Sequence, residues 1–166
     1  TKVWKGLNEF QKLGLVEENN TRMHIAQPFG CSPVSTAFIN GETYPKPVVP
    51  NTVAKSLAIG NPADGYYSVR IAKDSSGSAT IVPENKIAEG IKLLAETEGI
   101  FTETAGGVVI SALKNLTKSK SIGKNEKTVV LITGTGLKTI EAVRDSITMD
   151  TIEPNINSFD DIVTNK

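Results

Sequence analysis

The chain has 166 residues, 18 basic side chains against 18 acidic ones, and 39% apolar residues. Balanced charge leaves no field to hold a polyanion, so nucleic acid is not an expected partner, and no apolar run nears the ~20 residues that span a bilayer. A chain of this length supports one core without a disulfide, and a lone Cys31 with no secretory leader points to a cytoplasmic setting.

Val3, Trp4, Leu7, Phe10 and Leu13 recur at helical spacing and predict a helix over 3–13 that stops at Gly14. Neither a methionine nor a capping segment precedes it, so the chain is expected to begin inside a longer protein. Met23 to Ala26 predict a short strand closed by Pro28 and Gly30. Ser32 then stands where it would cap a helix with Pro33 at its first position and Val34, Ala37 and Phe38 inside. A proline-rich surface connection over 40–51 leads into Ser-Leu-Ala-Ile-Gly-Asn-Pro-Ala-Asp-Gly at 56–65, apolar until Gly60 and turn-like after it. A short helix over 66–71, a polar turn over 74–78 and a strand over 79–82 follow. Pro83 and Glu84 suit a helix start, and Ile87, Ile91, Leu94 and Ala95 mark its buried face down to Gly99. Another helix is expected after the Gly106-Gly107 pair, with Val108, Val109, Ala112, Leu113 and Leu116 inward. A lysine- and serine-rich loop over 118–127 precedes Val129-Val130-Leu131-Ile132-Thr133. Those four branched apolar residues read as a buried strand that delivers Thr133 into a Gly134-Thr135-Gly136 turn where backbone can approach a ligand. Alternating strands and helices imply an α/β fold, a three-layer open sheet flanked by helices, with ligands at one sheet edge.

His24 in an apolar strand context reads as a hydrogen-bonded core histidine, and Cys31 as a small packed residue. Metal-hydrolase, serine-hydrolase and P-loop signatures are missing, and Thr139 stands where a dinucleotide fingerprint needs its third glycine. In Glu98-Gly99-Ile100-Phe101-Thr102-Glu103-Thr104, a carboxylate at one helix end precedes a hydroxyl at the next helix start. Alone, this phrase suits an anion site or merely a solvated acid and an N-cap.

Read together, 56–65 (SLAIGNPADG), 97–107 (TEGIFTETAGG) and 129–138 (VVLITGTGLK) resemble the C-terminal half of the threonine synthases, pyridoxal-phosphate enzymes of the tryptophan-synthase-like fold. Gln27-Pro28-Phe29-Gly30-Cys31-Ser32-Pro33 matches a segment of the same family. The resemblance implies that residues 1–166 form the C-terminal half of a catalytic domain. The reaction would be conversion of O-phosphohomoserine and water to threonine and phosphate. It further implies that the Schiff-base lysine, in an SFKDRG-like stretch, and the glycine-rich phosphate loop lie upstream. This chain would then hold no catalytic residue and be inactive alone, its partners being the N-terminal half of the same enzyme and, in the complete enzyme, a second copy. On the same resemblance, Thr133 matches the position whose hydroxyl bonds the pyridine nitrogen. Ser56, Leu57 and Gly60 match the segment beside the ring, Gly134 and Gly136 the turn beneath it, and Glu98 an acid near its edge. Fragments of a related lyase, of the threonine dehydratase or cysteine synthase kind, and a non-catalytic binding module are the alternatives.

Overall fold

A computed structural model describes residues 1–146 and 150–164. Helix α1 (Lys2–Lys12) ends at Leu13 and turns on Gly14, whose φ of +70° only glycine adopts freely. None of its residues is buried. Strand β1 (Ile25–Pro28) runs into a 3-10 turn and α2 (Pro33–Ile39). Ser32 does not cap this helix. The Gln27 side chain does, its Oε1 accepting from Val34 N and Ser35 N at 2.9 Å each, while the Ser32 hydroxyl bonds Thr36 instead. A glutamine amide reaching forward from the strand satisfies two of the helix's orphan donors at once.

Helix α3 (Gly65–Asp74) is longer than its apolar spacing suggests, and strand β2 (Ala79–Val82) falls on its predicted residues. The two strands pair in parallel, Ile25 opposite Ala79 through Pro28 opposite Val82. Helix α4 (Glu84–Glu98) stops at Gly99 with φ +68°, a left-handed C-terminal turn. Helix α5 (Thr104–Lys118) starts before the Gly106-Gly107 pair and takes it into its first turn. The reason is packing: a Cβ on Gly107 would stand 2.4 Å from Ile87 O, and one on Gly90 would stand 2.2 Å from Gly107 O. The glycines let α4 and α5 touch backbone to backbone.

The α/β class holds, with helices against a parallel sheet, but among the described residues that sheet has two strands. Its main cluster is Ala54, Val82, Ile87, Val108 and Ala112, with Ala26 and Leu57 packed on it; Val34, Ala37 and Val69 form a second cluster. The expected strand over 129–133 is corrected. The segment forms no regular element and pairs with no strand among the described residues, and Val129 (86%) and Leu131 (58%) face solvent. Branched residues supply strand propensity but not a hydrogen-bonding neighbour. A last helix, α6 (Ile156–Thr164), likewise buries none of its residues.

His24 is half-buried, and its Nδ1 lies 2.7 Å from Ser78 Oγ. Beside it Arg22 pairs with Glu126 and donates to Ser121 O at 3.0 Å. Burial and then the Arg22 charge hold the imidazole below its ordinary pKa, against an opposite pull from Glu126. The folded chain therefore binds this proton less readily than the unfolded one. The stability that neutral His24 permits is complete above about pH 6.5 and declines as the pH falls below it. His24→Gln is expected to flatten that acid limb below about pH 6.5, read as urea midpoints across pH; an unchanged slope would remove His24 from the account.

Candidate functional site

The turn over 133–136 is held by the segment between α4 and α5. Glu103 N donates to Gly134 O at 3.0 Å and Thr102 Oγ1 to the same oxygen at 3.1 Å, Gly136 N donates to Phe101 O at 3.0 Å, and Thr102 and Thr135 form an antiparallel bridge. Thr139 Oγ1 accepts from Thr104 N at 3.2 Å, so the same stretch also covers the start of α5. Contact is closest at the glycines. A Cβ on Gly134 would lie 2.0 Å from Glu103 Oε1, and one on Gly136 would lie 2.5 Å from the Phe101 ring. Both positions need a bare backbone.

Thr133 stands exposed at the entrance of this turn, and its hydroxyl makes no hydrogen bond to a described residue. Leu57 packs on the core that includes Val108 and Ala112 of α5. Ser56 and Leu57 lie in a 3-10 turn (Lys55–Leu57), Ser56 exposed and Leu57 half-buried. Gly60 accepts from Val48 N at 3.0 Å, and a Cβ there would meet Val48 O at 1.9 Å. The first half of α5 thus collects two of the three predicted elements: the 133–136 turn at its N-terminus and the Ser56-Leu57 turn one to two helical turns along.

Glu98 is not among them. It is exposed at the C-terminal end of α4, where the Gly99 turn leaves it in solvent. Glu103 is the carboxylate at the turn, only 6% exposed and pressed against Gly134. The sequence carried a usable signal: an acid just before a helix-stopping glycine faces water, whereas an acid followed by Thr-Ala-Gly-Gly precedes a closely packed helix start.

The site contains an unsatisfied group. Thr104 is 1% exposed, and its Oγ1 is buried without a hydrogen-bond partner among the described residues. A buried hydroxyl without a partner costs about 1–3 kcal/mol unless something outside the protein supplies one. Thr104 Oγ1 is sealed at the start of α5, and the two glycines bring the 133–136 backbone against Glu103 and Phe101, which leaves the Thr133 hydroxyl as the exposed polar group at the entrance of the turn. Cys31, at 1% exposure, is a packed, free thiol.

Parallel strands covered by helices, with a glycine turn packed at a helix N-terminus, define an α/β unit. The family model described as "Pyridoxal-phosphate dependent enzyme" matches residues 3–134, and the chain belongs to that family. The family's cofactor is pyridoxal phosphate. The chain is similar to the threonine synthase of Methanocaldococcus jannaschii, 35% identical over 144 residues that cover 84% of this chain and 35% of the relative. It is also similar to that of Methanosarcina acetivorans, 30% identical over 168 residues, 100% of this chain and 41% of the relative. The chain thus spans well under half the length of these relatives. Two solved structures share the fold: maize serine racemase, with a TM-score of 0.57 at 19% identity over 75% of this chain and 38% of the other, and an L-serine ammonia-lyase from Rhizomucor miehei, with 0.57 at 16% over 85% and 45%.

Proposed function

We propose that this chain is the C-terminal part of a threonine synthase, the lyase that converts O-phosphohomoserine and water to threonine and phosphate, and that it forms the wall on the pyridine-nitrogen side of the cofactor. The observation that carries the reading is the unbonded Thr133 hydroxyl, presented by a turn that three hydrogen bonds, two backbone and one from a side chain, lock against residues 101–103. When bound, pyridoxal phosphate supplies an electron sink for carbanions formed next to the amino group.

The chain's own residues orient that ring. Thr133 offers a neutral hydroxyl to the ring nitrogen, which leaves the nitrogen unprotonated where a carboxylate would hold a proton on it. Gly134 admits the Glu103 carboxylate to the turn, and Glu103 takes the ring-edge role that the family pattern put at Glu98. Leu57 and the backbone at Ser56 and Gly60 give the ring a dry flank. The Schiff-base lysine and phosphate loop belong to the remainder of the enzyme, and this chain is inactive by itself.

Surface area supports that assignment. The chain exposes 11211 Å², roughly 40% more than the ~7,900 Å² expected of a closed monomer of its 17.7 kDa mass. The excess includes exposed apolar side chains on α1, the 129–133 segment and α6, such as Val3, Phe10, Val129, Leu131 and Phe159, which the remaining polypeptide would cover. In the complete enzyme, a homodimer on this reading, O-phosphohomoserine should yield threonine and inorganic phosphate. Keto-acid release from serine or threonine without phosphate turnover would instead assign the related lyase. Thr133→Ala should weaken pyridoxal-phosphate binding five- to tenfold, the effect of about 1 kcal/mol from one hydrogen bond, as measured by equilibrium dialysis of the cofactor.

A further inference from the structure

Glu84 makes more contacts than a first-turn acid needs. Its Oε1 accepts from Gly30 N at 2.9 Å, and its Oε2 accepts from Thr52 Oγ1 at 2.9 Å and Val53 N at 3.0 Å. The two segments it gathers also bind each other: Asn51 N donates to Gly30 O at 2.8 Å, so tightly that a Cβ on Gly30 would stand 1.7 Å from Asn51 O. From this junction a chain of bonds continues to the cofactor wall. Thr52 Oγ1 accepts from Ala54 N at 3.1 Å, Ala54 is fully buried against Val108 and Ala112, and Leu57 N donates to Ala54 O at 2.9 Å.

We propose that Glu84 is the positioning residue of the Ser56-Leu57 wall, one carboxylate at the start of α4 that fixes where the turn after Thr52 and Val53 meets α5. This rests on the proposed placement of Ser56 and Leu57 beside the cofactor. The chemistry suits the task. A carboxylate accepts from three donors without contributing one, and its bonds lie at a helix N-terminus, whose positive end favours the charge. A glutamine of the same size has one accepting oxygen and cannot serve both segments.

Cys31 gives a local readout. It adjoins Gly30, is 1% exposed and is the chain's single cysteine. Burial pushes its thiol pKa up; a backbone hydrogen bond at Ile59 opposes that, and the Glu84 charge adds to it. The test uses the full 166-residue chain and the rate at which an aromatic disulfide labels Cys31. Glu84→Gln should accelerate labelling roughly tenfold by opening the junction. Thr52→Val keeps the charge and removes one donor, so its smaller acceleration comes from opening and not from a shifted thiol. Ser111→Ala removes the bond from Ser111 Oγ to Lys86 O, 2.7 Å long and on the α4–α5 contact, and should leave the rate unchanged whatever it does to the melting temperature. If all three variants accelerate labelling in proportion to lost thermal stability, or Glu84→Gln does not accelerate it, the clamp is refuted. In the complete enzyme, Glu84→Gln should also weaken pyridoxal-phosphate binding. An opened junction with unaltered cofactor affinity would overturn the positioning role and locate the error in the reading of Ser56 and Leu57, not in the clamp.

Discussion

Gly107→Ala is expected to cost about 3 kcal/mol of folding stability, the upper range for forcing a methyl into a packed contact. The added carbon would stand 2.4 Å from Ile87 O and 2.8 Å from Ile91 Cγ1. The first atom is backbone inside α4, so it can retreat only if that helix moves, and Gly90 on the same helix already meets Gly107 O. Gly6→Ala provides the contrast. Gly6 lies within α1 with nothing within 4 Å of its would-be Cβ, and there alanine should stabilise the helix by about 0.5–1 kcal/mol through propensity alone. One exchange, two glycines and opposite signs are expected in urea-denaturation midpoints. A Gly107→Ala variant as stable as the parent would mean that α4 and α5 are further apart than described.

The elements legible in the sequence were those set by local chemistry. Strand β2 and helix α4 follow from the 79–82 run, Pro83, Glu84 and the Gly99 stop, all signals carried within a few residues of their effect. The misreadings share the opposite property. Gly106 and Gly107 look like a break before a helix, but they lie inside α5, and Gly107 packs on Ile87, twenty residues away and outside any local window. Ser32 has the right chemistry for an N-cap and loses the position to Gln27, which comes from the preceding strand. At 129–133 the apolar composition is real, but a strand also needs a neighbour, and none lies among the described residues. Site chemistry divides the same way. The turn at Gly134 was readable because a glycine between a hydroxyl residue and a second glycine keeps its turn meaning locally. Glu103 was not, since its importance comes from lying across from Gly134, thirty-one residues away in the chain by the numbering of the two positions.

That pairing gives the second large effect, and one separable from stability. A Gly134→Ala methyl would meet Glu103 Oε1 at 2.0 Å, Cδ at 2.4 Å and Cγ at 2.9 Å, all atoms of one side chain with rotatable bonds. The side chain can swing away where the Ile87 carbonyl cannot, so the folding cost should stay near 1 kcal/mol, well under that of Gly107→Ala. Function should suffer more. On the proposed ring-edge role of Glu103, a carboxylate displaced by an ångström or more would lose its placement, and misplacement on that scale costs roughly a hundredfold in turnover. The complete enzyme carrying Gly134→Ala is therefore expected to melt close to the parent while kcat/KM for O-phosphohomoserine falls about a hundredfold. Glu103→Gln keeps the volume and removes the charge, so a comparable loss there would assign the effect to the carboxylate. If Gly134→Ala is impaired and Glu103→Gln is fully active, the turn's backbone, not Glu103, orients the ring, and the ring-edge role proposed for this acid fails.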